Sequence, residues 1–167
     1  MLKETLHKNI VKDLKVVRRL ITKISPEIVD YKPVENVRSI LEVLQYLSSC
    51  STNIIRFWQN EDQSDPRGFL TKLRKDDPIV TLENAISIFD AQIAFVDELF
   101  ASISEDDIQN KVVVYPWGGK GTLGEGIIET SIKWLAGYKM QLFLYIKIAS
   151  GQSISTPDLW HKTEIEA

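Results

Sequence analysis

TLGEGIIETSIKWLAGYKMQLFLYIKIAS, residues 122–150, is the longest apolar run of helical spacing in the chain. It opens with Thr122-x-x-Glu125, the pattern of a capping box. In that motif the threonine hydroxyl accepts from the third backbone N–H and the glutamate reaches back to the cap N–H. Gly121 ahead of it suits a loop, and Gly151 behind Ser150 suits a helix stop. No proline interrupts the run, which at 1.5 Å per residue spans roughly 42 Å. Two apolar stripes follow it. Ile127, Trp134, Tyr138 and Tyr145 form one seam, and Ile128, Ile132, Leu135, Leu142 and Ile146 form its neighbour. A face this wide exceeds the seam of a two-stranded coil, so the helix is expected to meet at least two other helices or a second subunit.

Working outward, residues 2–24 read as a first helix. Leu6, Ile10, Leu14, Val17, Ile21 and Ile24 fall three or four apart with charged residues between them. Ser25-Pro26 ends it, because proline disfavours helical geometry in the residue before it. Residues 28–33 read as an extended connector. A second helix starts between Asn36 and Ser39 and lasts to about Gln59, with Ser39-x-x-Glu42 as another capping box. Its buried face carries Ile40, Leu44, Leu47, Ser51, Ile54 and Trp58. Residues 60–80 are polar, with a short helical turn over Gly68 to Lys75 that packs Phe69 and Leu73. A third helix follows Thr81 and presents Leu82, Ile86, Phe89, Ile93, Val96 and Phe100. Ser104 to Gln109 suits a turn or short helix, and Lys111 to Gly119 an extended excursion with an aromatic tip. Thr156-Pro157 starts a short C-terminal helix anchored by Leu159 and Trp160. The expectation is an all-α, four-helix bundle, one domain over residues 1–167. A long crossover between helices two and three gives it a topology other than a meander.

Composition excludes several function classes. The net charge of −3 offers no basic stripe for nucleic acid. The single cysteine, Cys50, permits no intrachain disulfide, and a reducing cytoplasm is the default expectation. The N-terminal residues lack the apolar core of a signal peptide. Lys139 and Lys147 interrupt the best candidate for a membrane span.

Chemistry-bearing motifs are sparse. The two histidines, His7 and His161, lie near opposite ends of the chain. No HxxxH, CxxC or Glu-x-x-His pair occurs, so no metal and no other cofactor is expected. Cys50 has no histidine near it and reads as a small buried apolar residue. Gly118-Gly119-Lys120-Gly121-Thr122 lacks the spacing of a phosphate loop and reads as a flexible entry to a cap. Glu42, Tyr46, Cys50 and Asn53 share one face of helix two, and Trp134 and Tyr138 are one turn apart on helix four. These aromatics read first as core. Their functional reading is a small pocket between helices two and four, with Glu42, Tyr46, Cys50, Trp134 and Tyr138 as ligand-contacting candidates.

Two segments together resemble a known family. Arg38-Ser39-Ile40-Leu41-Glu42-Val43-Leu44-Gln45-Tyr46-Leu47 is similar to the "RSIxELLxHL" helix of the DinB/YfiT-like superfamily. Trp134-Leu135-Ala136-Gly137-Tyr138-Lys139-Met140-Gln141-Leu142 is similar to its "HxxxHRGQL" helix, and Tyr31-Lys32-Pro33 to its aromatic-x-Pro lead-in. The resemblance implies a four-helix bundle, often dimeric, with a three-histidine site for a divalent metal used by some members in thiol-dependent transfer. Carried over, the three histidine positions fall on Tyr46, Trp134 and Tyr138. No ordinary zinc or nickel ligand stands at any of them. The expectation is therefore a cytoplasmic homodimer without the family metal, acting as a small-ligand-binding or protein-interaction module with no catalytic residue assigned. The alternative is a metal-independent enzyme, of transferase or hydrolase type, that uses Glu42 and the tyrosine hydroxyls in acid–base work within the same pocket.

Overall fold

The computed structural model describes residues 1–165. It is all-α apart from one hairpin, in the order α1 (Leu2–Ile21), α2 (Ile40–Leu47), α3 (Cys50–Trp58), α4 (Pro66–Asp76), α5 (Ala85–Ala101), α6 (Glu105–Asn110), β1 (Val112–Val114), β2 (Lys120–Thr122), α7 (Leu123–Ile127), a π-helical turn (Ile128–Ile132), α8 (Lys133–Ser150) and α9 (Thr156–Trp160). The most extensive pairings join α1 to α5 and α2 to α8, while α1 also meets α8 and α3 meets the π turn. The first long helix thus pairs with the third and the second with the last, as the long crossover between helices two and three required.

The final helix behaves largely as its sequence demands. Thr122 accepts from Glu125 N, and the Glu125 carboxylate takes the Thr122 N–H at 2.8 Å. Gly151 ends it in the left-handed region at φ 64°, which a β-carbon disfavours. The departure is the π turn. Its i→i+5 pattern admits an extra residue per turn and rotates the rest of the helix about its axis. Leu123, Ile127, Ser131, Leu135, Lys139 and Phe143 thereby share the inner side, four apart, whereas Ile128, read as a member of the second stripe, is exposed. Thr130 and Ser131 are buried in its place.

Other corrections are local. The first helix closes at Ile21, where Thr22 Oγ1 donates to Arg19 O; Ile24 is still buried beyond it. The segment after Pro26 forms hydrogen-bonded turns, with Ile28 N on Ser25 O and Tyr31 N on Ile28 O, rather than an extended connector. Helix two is two helices. Ser48 and Ser49 break it, and Ser48 Oγ donates to Gln45 O at 2.8 Å. A serine hydroxyl that bonds a preceding helix carbonyl is a recognised cause of a bend. Helix three begins at Ala85, because Thr81 and Asn84 first exchange side-chain bonds across a turn (Asn84 Oδ1 takes Thr81 N at 2.8 Å). The polar stretch 60–80 holds a full helix, α4, capped by Asp65 on Gly68 N with Pro66 at its start. Leu73 is buried as expected; Leu70 is buried beside it, and Phe69 packs on Phe57.

The aromatic excursion is an antiparallel hairpin, with Val112 opposite Thr122 and Val114 opposite Lys120. Trp58, fully buried at the end of α3, donates its indole N–H to Val114 O at 2.7 Å and so fixes the hairpin to the core. Gly126 lies against the same ring. A β-carbon there would stand 2.7 Å from Trp58 Cη2.

At the C-terminal end, α9 is held by charge. Arg19 of α1, nearly inaccessible, donates to Asp158 at 2.7 Å. Leu159 is buried, while Trp160 stays partly exposed and covers Lys139, whose ammonium lies 4.2 Å from its ring centre. Lys139 is fully buried and pairs with Asp13 of α1 at 2.5 Å. The residue that breaks the apolar run in sequence is therefore an internal ion-pair partner. No helix among the described residues is long and apolar enough to cross a membrane.

Candidate functional site

Glu42, Tyr46, Cys50 and Trp134 come together on one cavity of about 310 Å³, at the small end of ligand sites. Its walls come from α2, α3 and α8, and α4 covers it with Leu70, Arg74 and Lys75. Cys50, Ile54, Leu70 and Trp134 give it an apolar interior. Tyr46 and Cys50, four apart across the Ser48-Ser49 break, face the same space from consecutive helices.

Tyr138 does not line this cavity. Its ring packs on Tyr46, centroids 4.3 Å apart and tilted by 45°, and its outer side borders a shallow groove with Arg38, Glu42 and Gln141. Two of the three aromatics singled out by the family resemblance therefore pack against each other. Trp134 meets Trp117 of the hairpin turn edge-on at 6.4 Å, and Trp117 stacks on Tyr115 at 5.3 Å. An aromatic row thus runs from the cavity wall to the hairpin.

Burial and capping act on three ionisable groups of the cavity. Burial, reinforced by Cys50 and Tyr138, pushes the Tyr46 phenol up to about 12. Burial pushes the Cys50 thiol up to about 12 as well. Glu42 is exposed, and its carboxylate accepts the Ser39 backbone N–H at 2.7 Å in the helix cap. That bond is the main cause holding it below the usual carboxylate range, with Lys32 and Arg38 as weaker contributors. Glu42 is thus a capping residue at the cavity's edge.

Several residues at the site carry no signal in a one-dimensional reading. Arg38 stands within the family-like segment, yet its role emerges only in three dimensions. Its guanidinium lies 4.8 Å from the Tyr46 ring centre and 5.2 Å from that of Tyr138, and donates to the Tyr138 hydroxyl at 3.1 Å. Arg74 approaches Tyr46 from α4 at 5.9 Å. It belongs to a polar stretch with no telling periodicity. Asn53, on the face already read from sequence, donates to Asp77 at 3.0 Å and fixes the start of the segment leading to α5.

The residues do not fit a divalent metal. An indole nitrogen is a donor only, and the Tyr46 phenol resists ionisation. Among the described residues no three His, Cys, Asp or Glu side chains gather as a metal site. His7 instead bonds Asp97 at 2.6 Å across α1 and α5.

No protein-family model matches the chain, and no curated protein matches it. Solved structures do. A protein described as a DinB-family member, from Exiguobacterium sibiricum, superposes with a TM-score of 0.70 at 20% identity, over 94% of this chain and 97% of that one. A DinB-like protein from Bacillus subtilis gives 0.71 at 15% identity, over 90% and 94%. The chain has the DinB-like fold, as the two sequence segments implied.

Proposed function

We propose that this DinB-like chain is a metal-independent binding protein for a small molecule, received in the cavity between α2, α3 and α8. One observation carries the reading. The three positions that correspond to the family's metal ligands hold Tyr46, Trp134 and Tyr138. Tyr46 and Trp134 wall a cavity of about 310 Å³. Aromatic walls with a few polar groups at the rim are the usual make-up of a ligand site. The acid–base alternative is weaker, because Glu42 is committed to its cap and the Tyr46 phenol stays protonated far above neutrality.

The test is an NMR titration with small aromatic compounds in the presence of EDTA, following the Trp134 indole N–H, assigned with Trp134→Phe. That signal should shift with the chelator present. Binding that needs added zinc or nickel, or that leaves Trp134 unmoved, would contradict the reading.

A second copy of the chain is the protein partner this reading assigns. Leu144 and Ile148, one turn apart on α8, remain exposed at 45% and 62%. Such a pair suits a helix-to-helix contact across a two-fold axis. Sedimentation at micromolar concentration should give a dimer, and a monomer throughout would remove this part of the proposal.

A further inference from the structure

We infer that the ligand class is a small amphipathic carboxylate, its oxyanion held by Arg38 and Arg74 and its apolar body set against Cys50, Ile54, Leu70 and Trp134. This rests on the binding-protein reading above and adds the chemistry of recognition to it.

Two guanidiniums approach one ring. Arg38 lies 4.8 Å and Arg74 5.9 Å from the centre of Tyr46, and Lys75 joins them at the cavity lining. Stacking on an aromatic face orients a guanidinium while leaving its in-plane donors available. Arg38 gives one hydrogen bond to the Tyr138 hydroxyl, which uses a fraction of its five N–H groups.

The carboxylates at the cavity make their hydrogen bonds to other groups, and Glu42 acts on Arg38 only through space. Glu42 Oε2 is taken by the Ser39 backbone N–H, and Asp77 Oδ2 accepts from Asn53 at 3.0 Å. Among the described residues, no carboxylate lies within ion-pair distance of Arg38, Arg74 or Lys75. Elsewhere on the surface some cations are paired: Lys8 with Glu4, Arg18 with Asp90, Lys133 with Glu129. In a chain of net charge −3, the cavity lining carries Arg38, Arg74 and Lys75 against Glu42 and Asp77, so cations outnumber carboxylates there. Low-dielectric walls focus such a field and favour an anion there. The fork of a guanidinium matches the geometry of a carboxylate, while the apolar part of the cavity admits an uncharged body.

The experiment compares three probes of one shape by calorimetry at low salt: naphthalene-2-carboxylate, naphthalene-2-methanol and naphthalene-2-methylamine. The carboxylate should bind at least roughly tenfold more tightly than the alcohol, the effect of a charge-assisted hydrogen bond. R38Q and R74Q should each reduce that preference while keeping a cooperative melt, since both side chains are exposed. Equal binding of carboxylate and alcohol, or preference for the amine, overturns the oxyanion assignment and leaves the pocket reading standing. Binding of none of the three overturns both.

Discussion

Arg19 Nη1 lies 2.7 Å from Asp158 Oδ1, and this buried contact joins the first helix to the last. Burial alone would raise the Asp158 pKa. Bonds from the Ser155 backbone and hydroxyl, then from Lys162 and Arg19, outweigh it and hold the carboxyl well below its ordinary range. A carboxyl so lowered stabilises the fold above its unfolded-state value near about 4, and that contribution is lost as pH falls further. Acid unfolding should therefore show α9 loosening below about pH 4. Asp158→Asn should cost about 1–3 kcal/mol at pH 7 and flatten the acid limb of the stability curve. Urea melts of both proteins between pH 3 and 7 check this.

Gly126 and Trp58 set the second prediction. A methyl group on Gly126 would stand 2.7 Å from an indole that is fully buried and bonded to Val114 O. The ring has nowhere to move without releasing the hairpin. Gly126→Ala should destabilise the protein by about 1–3 kcal/mol despite the better helix propensity of alanine. Thermal melts read the effect, and an unchanged melting temperature would show that the hairpin yields.

The long elements and their caps were legible in sequence because periodicity and capping are local. Thr122/Glu125 and Ser39/Glu42 close in the expected boxes. The π turn was not, because Ile128 falls on an apolar stripe and only the register of the whole helix turns it outward. The division of helix two was hidden by Ser51, which continues the heptad past the Ser48-Ser49 break. At the site, the shared face of helix two brought Tyr46 and Cys50 into view, and the family-like spacing Tyr46 and Trp134. Arg74 was out of reach, since α4 meets the cavity only through tertiary packing.

Cys50 should be chemically quiet. Its thiol is buried and pushed up to about 12, so little thiolate exists at pH 8. Its reaction with an aromatic disulfide reagent should run at least about 100-fold slower in the native protein than in urea. An occupant of the neighbouring cavity should slow it further. Rapid labelling of the native state would mean that the cavity opens readily to solvent.

Ser131 presents a buried hydroxyl without a hydrogen-bond partner among the described residues, on the inner side of the π turn. An unsatisfied buried polar group carries a cost that an apolar replacement removes. Ser131→Ala should raise stability by about 1 kcal/mol and the melting temperature by roughly 2–4 °C. A loss of stability would indicate an internal water at that position.

The proposed reading gives the cavity walled by Tyr46 and Trp134, with Tyr138 packed on Tyr46, to a ligand and not to a metal, and metal retention decides between the two. The purified chain is incubated with zinc and with nickel, weakly held ions are removed by desalting, and metal per chain is determined by elemental analysis. Neither metal should be retained. One tightly held ion per chain, lost on Tyr46→Phe, would contradict the assignment.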